Sequence, residues 1–219
     1  MSQQILIIGL GQFGMSLART LSSKGAEVLA VDMKAHLVEE AASFVTKAVV
    51  IDATDETALA RLEPGKRDSA VCAIGDDSKE GSIICTALLK QMGTPLIIAR
   101  ANDKMHQRIL KMVGAHQIIN PEHEFGKRFA NRLLYKDMVA DTNLGEDLYL
   151  TEICVQPSMV GKNLIELALP KKFGVIIVGI RKGDGGKVVT PSPKDPLSGD
   201  ENIIIVSGES AISDLIKGV

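Results

Sequence analysis

The chain has 219 residues, 45% of them hydrophobic and 24% charged, with a formal net charge of -2. No apolar run reaches the roughly 18 positions of a membrane span and no signal peptide is visible, so a soluble, cytoplasmic protein is expected. Lysine and arginine are spread evenly, and five phenylalanines and two tyrosines are the only aromatics, which leaves neither a basic face nor a stacking platform for a nucleic acid.

From the N-terminus, "ILIIGLGQFG" places an apolar run, 5–8, ahead of Gly9, Gly11 and Gly14 and a helical pattern over 13–21. The unit then repeats. Apolar runs at 27–31, 47–51, 69–74, 95–100 and 117–119 alternate with helical patterns at 34–43, 54–61, 77–91 and 103–113. Alternating strands and helices imply a parallel sheet covered on both faces, the doubly wound Rossmann-like class of α/β fold. Successive apolar positions within single runs agree with strands buried on both sides.

After "INPE" the period changes. Residues 125–138 read as one amphipathic crossover helix with Phe129, Leu133 and Leu134 on a face, and 139–148 are polar enough for a linker. Beyond it a strand (150–155), a helix (162–169), a strand (175–181), the turn "GDGG" (183–186), strands at 187–190 and 202–206 and a closing helix (209–217) predict a small α+β domain. The expected boundaries are therefore 1–138, a linker over 139–148, and 149–219. A domain of this size gains limited stability alone and is expected to lean on a second copy. Cys72, Cys85 and Cys154 are far apart, with no Cys-x-x-Cys pair; buried small apolar residues are expected, rather than a disulfide framework or structural zinc.

The chemistry concentrates at the strand ends. Gly9 suits the tight turn out of the first strand, Gly11 lets backbone approach a phosphate, and Gly14 lets helix pack on sheet, with Gln12 and Phe13 between them. Asp32 closes the second strand 18 residues beyond Gly14, where a carboxylate accepts ribose hydroxyls; Met33 and the lack of a neighbouring arginine disfavour a 2'-phosphate. Other strand ends bring Asp52, Ala53, Thr54, Ile74, Gly75 and Asp76 to the same cleft. Asp52 suits an adenine amino group, although it or Thr54 equally suits a helix cap. Arg100 is either a phosphate ligand or a surface arginine.

A reaction is harder to find than a ligand. His36, His106, His116 and His123 fall on helical or turn patterns as exposed or capping residues, the second domain has no histidine, and neither a nucleophile elbow nor a Walker loop occurs. Binding without catalysis is expected, with a small NAD-dependent oxidoreductase as the main alternative. A redox-sensing transcription factor lacks its helix-turn-helix or basic stretch.

The segments "IIGLGQFG", "VLAVD", "VVIDATDE", "VCAIGDD", "IIARAND" and "KMVGAHQIINPE", followed by a helix and a small domain, resemble in order and spacing the RCK (KTN) proteins of the Trk/Ktr potassium uptake systems. The resemblance covers nearly the whole chain. It implies a non-enzymatic, nucleotide-sensing gating ring, usually an octamer built from dimers, at the inner face of the membrane beneath a potassium transporter or channel subunit. It also implies that Gly9, Gly11 and Gly14 hold phosphates, Asp32 the ribose, Asp52 and Ala53 the adenine region and Arg100 a phosphate, and that Glu122 helps bind Mg2+ or another divalent cation. Ktr relatives commonly carry arginine at the position of Gln12. An uncharged glutamine weakens discrimination of ATP from ADP, so AMP, ADP and NAD(H) join ATP as expected ligands. Some relatives bind cyclic di-AMP between paired C-terminal domains, in a region corresponding to "FGVIIVGI" and Pro191 here.

Overall fold

The computed structural model describes residues 2–75, 78–145, 148–183 and 185–218. The chain forms two compact units, Met1–Glu124 and Phe125–Val219. In the first, β1 (Gln4–Ile8), α1 (Gln12–Ser23), β2 (Glu27–Asp32), α2 (Ala35–Ala42), β3 (Lys47–Val50), α3 (Glu56–Ala60), β4 (Ser69–Cys72), α4 (Lys79–Gln91), β5 (Ile97–Arg100), α5 (Lys104–Val113) and β6 (Gln117–Ile119) alternate. The strands form one parallel sheet in the order β3-β2-β1-β4-β5-β6.

The period-two geometry of a strand explains why β1 is apolar throughout. Ile5 and Ile7 join a core with Ala18 of α1 and Val38 and Ala41 of α2. Leu6 and Ile8 join the opposite core, with Leu59 of α3, Cys85 and Leu89 of α4 and Leu110 of α5. Strand order reverses between β1 and β4, and there the loops beyond the carboxyl ends part into a cleft.

α6 (Pro121–Leu134) carries the chain from the first unit into the second, where β7 (Met138–Gly145), β8 (Leu148–Cys154), α7 (Leu164–Leu167), α8 (Leu169–Phe173), β9 (Ile176–Arg181), β10 (Val188–Val189), β11 (Asn202–Gly208) and α9 (Glu209–Gly218) follow. The sheet is antiparallel, in the order β10-β9-β11-β8-β7. Its core joins Ile153, Ile180, Ile203 and Ile205 to Met159, Leu164, Leu169 and Leu215.

Several sequence expectations need correction. The crossover helix ends at Leu134, not 138, and Met138 together with residues 139–145 of the expected linker pairs with β8 as an edge strand. An edge strand meets a neighbour on one side only, so its composition can be as polar as a linker's, and backbone hydrogen bonds distinguish the two. The helix expected at 162–169 breaks at Ala168, whose φ of 48° is left-handed, into α7, opened by an Asn163/Glu166 capping box, and α8. His106 is buried, its Nε2 2.7 Å from Ser82 Oγ, and neither exposed nor a cap. Cys72 and Cys85 are buried as expected, whereas Cys154 is half-buried. In the hairpin turn Asp184 lies outside the described residues; Gly183 and Gly185 flank it with φ of 69° and 67°.

One ion pair makes the second unit sensitive to acid. Glu152 of β8 accepts from Arg181 Nε at 2.7 Å and Nη2 at 3.0 Å, and from Asn202 at 2.8 Å. The Arg181 guanidinium holds the Glu152 carboxyl below its ordinary range. A carboxyl depressed in the folded state contributes stability that is complete above the unfolded value, about 4.3, and lost as pH falls through the folded one. Glu152→Gln is expected to cost about 1 kcal/mol at neutral pH and almost nothing once the pH has fallen below the folded-state value. Thermal midpoints of the two chains measured across that range should therefore converge.

Candidate nucleotide-binding site

The cleft at the switch point has a volume of about 770 Å³ and is lined by the ends of β1, β2 and β5, by the segments that follow β1, β2, β3 and β4, and by Glu122 near the start of the helix after β6. Its base is the turn after β1. Gly9 adopts φ +94°, and a Cβ there would lie 2.9 Å from Ile74 N. Its amide donates to Val31 O at 2.8 Å, tying the turn to β2. Gly14 is pressed against the turn itself: a Cβ would stand 1.9 Å from Gly9 O.

Gly11 differs from both. It is the N-cap of α1 with an ordinary φ of -62°, no side chain caps the helix, and a Cβ would meet nothing within 4 Å. Protein packing gives no reason for glycine at this position. An uncapped helix start opening on a cleft has unsatisfied amides and the positive end of the helix dipole, which suit an anion.

Asp32 is held firmly, its Oδ2 accepting from Leu10 N at 2.6 Å and its Oδ1 from Lys34 N at 2.8 Å. It therefore braces the glycine turn and also lines the cleft. Asp52 Oδ1 accepts from the amide of Thr54 at 2.9 Å and from its hydroxyl at 2.7 Å, and these bonds, the hydroxyl's first, lower its pKa. Of the two roles the sequence left open for Asp52, the helix cap belongs to Asp55, which accepts from Thr57 N and Ala58 N.

Gly9, Gly11, Gln12, Phe13, Asp32, Met33, Asp52, Ala53, Thr54, Ile74, Gly75, Arg100 and Glu122 all line the cleft. Gly14 serves it through packing, and Asp76 lies outside the described residues. Arg100 is an inner residue of the cleft and donates through Nη2 to Glu122 Oε1. Glu122, expected beside a cation, is thus paired with an arginine, and among the described residues no group of three His, Cys, Asp or Glu could hold a metal ion. Sequence reasoning missed Lys34, Ser78, Glu80, Gly81 and Ile84. The available signal was Gly81, a glycine early in a helix, where a Cβ would meet Ser78 Oγ at 2.5 Å.

A parallel sheet of this strand order with an open glycine turn defines the Rossmann-type class. The chain belongs to the TrkA-N/TrkA-C family, with a TrkA-N domain over residues 5–121 and a TrkA-C domain over 150–217. It is 35% identical over 217 residues to Ktr system potassium uptake protein A of Vibrio alginolyticus, covering 99% of this chain and 98% of that one. It is 32% identical over 219 residues to Ktr system potassium uptake protein C of Bacillus subtilis (strain 168), covering 100% and 98%. Among solved structures, the RCK domain of GsuK superposes with a TM-score of 0.64 at 20% identity, over 99% of this chain and 47% of that one. The GsuK channel bound to NAD gives 0.64 at 21%, over 99% and 40%. The resemblance read from the sequence is thereby borne out, and so is the two-part α/β fold. Among the described residues no helix is long and apolar enough to cross a membrane.

Proposed function

We propose that this chain is the cytoplasmic, nucleotide-sensing regulatory subunit of a membrane potassium transport system, acting by binding and not by catalysis. The observation that carries this reading is the likeness, along nearly the full length, to Ktr system potassium uptake proteins. Copies of the chain pair and close into a ring beneath the membrane subunit. The exposed Phe125, Phe129, Leu133 and Leu134 of α6 support self-association. Nucleotide in the cleft changes the balance between ring shapes. Moving a population from 1:99 to 99:1 takes about 5.5 kcal/mol, which several sites acting together supply at about 1 kcal/mol each.

The ligand is an adenine nucleotide or NAD(H), the class bound by GsuK in its NAD and ADP complexes. Among the described residues four carboxylates, Asp32, Asp52, Glu80 and Glu122, line the cleft against two cations, Lys34 and Arg100. That balance favours ligands of low charge, NAD or AMP, over metal-free ATP. Among the described residues the lining includes no histidine or tyrosine, groups commonly used for proton transfer in hydride chemistry.

The test is a thermal-unfolding panel with ATP, ADP, AMP, NAD, NADH and cyclic di-AMP, with and without magnesium. A ligand at 100 times its Kd should add about 2.7 kcal/mol, a rise of several degrees. The same ligand should then alter potassium flux in vesicles holding the membrane subunit with this chain bound. No stabilisation by any of the six would overturn the reading, and turnover of nicotinamide absorbance would replace it with an oxidoreductase.

A further inference from the structure

Among the described residues Arg100 is the one arginine lining the cleft, and it already has a partner. Arg100 is 17% exposed and donates to Glu122, which is 52% exposed. Its Nε is buried without a hydrogen-bond partner, and its Nη1 lies 3.2 Å from where a Cβ on Gly75 would stand. Glycine at 75 therefore leaves the guanidinium room beside the backbone there. Glu122 sits in the first turn of α6, where the helix dipole supports its charge without help from Arg100.

A half-buried cation facing a ligand cleft, with an exposed carboxylate as its counter-ion, has two possible anionic partners. From this geometry we infer that Glu122 competes with the nucleotide's phosphate for Arg100 and so sets the affinity of the cleft for phosphate-bearing ligands. The inference rests on the cleft's holding a nucleotide. In the free chain Glu122 neutralises Arg100; on binding, a phosphate takes its place and Glu122 turns to solvent. Any cation that draws Glu122 away, without touching the phosphate, strengthens nucleotide binding, and the nucleotide strengthens that cation's binding by the same factor. Glu122 lies three residues before Phe125, the start of the second unit, so the exchange takes place on the helix by which the chain leaves the nucleotide unit.

The competition has a signature that a plain binding role for Glu122 lacks: removing its charge improves binding. Calorimetric titration of the full chain with ADP in chelator is expected to show Glu122→Gln binding about three- to tenfold more tightly than the parent. Arg100→Gln should bind at least about tenfold more weakly. In an Arg100→Gln background Glu122→Gln should have no further effect, because the competition has lost its object. Adenosine, which has no phosphate, should bind the parent and Glu122→Gln alike. Unchanged or weaker ADP binding by folded Glu122→Gln would overturn the inference, as would an equal gain in the Arg100→Gln background, which would mark a general charge effect. A parent chain that binds neither ADP nor NAD would defeat the nucleotide reading itself; a parent that binds with no gain in Glu122→Gln would defeat the competition alone.

Discussion

Gly11→Asp is expected to abolish nucleotide binding while leaving the fold as stable as before. The backbone at Gly11 has φ -62° and ψ -174°, which any residue adopts, and the space a Cβ would enter is empty. Aspartate is also a better N-cap than glycine, by a few tenths of a kcal/mol. The thermal midpoint should therefore stay within about two degrees of the parent's or rise slightly. For an anion the consequences are reversed. The new carboxylate accepts from the first-turn amides of α1 that a phosphate would use, and it adds a negative charge to a cleft already rich in them. Loss of charge-assisted hydrogen bonds together with repulsion amounts to about 3 kcal/mol, at least a 100-fold fall in affinity for ADP or NAD by calorimetry. Parental affinity in this variant would place the phosphates away from the turn. Asp32→Ala is a less clean test, because it also removes the acceptor for Leu10 N.

Gly14→Ala, three residues away in sequence, should do the opposite and destabilise the nucleotide unit. Alanine is the best helix former, favoured over glycine by about 1 kcal/mol in a helix interior. Against this stands a Cβ 1.9 Å from Gly9 O and 3.0 Å from Gly9 C. Both are backbone atoms of a turn tied to β2 through Gly9 N and braced by Asp32 through Leu10 N, so neither can swing aside. Overpacking of this kind outweighs the propensity gain, and a net loss of about 3 kcal/mol or more is expected, a fall in midpoint of roughly 10 °C. Circular dichroism melts of the two variants, run together, separate the glycine that serves the ligand from the glycine that serves the fold.

How much of this was legible in advance varies with the range of the interaction. The glycine turn and Asp32 were legible because a strand, a turn and a helix start are local, and their spacing is set by element lengths. Gly11 and Gly14 nevertheless look alike in the sequence; what stands near each Cβ came from the packing of α1 on the turn. Asp52 was left between two roles because its Thr54 partner and the true cap, Asp55, lie within the same few residues. The pairing of Arg100 with Glu122 leaves no sequence signal, since 22 residues and two elements separate them.

The apolar period of residues 4–119 by itself determined a parallel, doubly wound sheet, because strands buried on both faces and helices buried on one leave different repeats in a sequence. The order of its motifs determined the family. Tertiary structure alone decided that residues 138–145 are a strand, that His106 is buried against Ser82, and that the one arginine of the cleft is held by a glutamate. The strand depends on backbone hydrogen bonds to β8, which polar side chains do not announce; the other two depend on partners more than 20 residues away, and a hydrogen bond or ion pair across the fold leaves no period in the sequence that makes it.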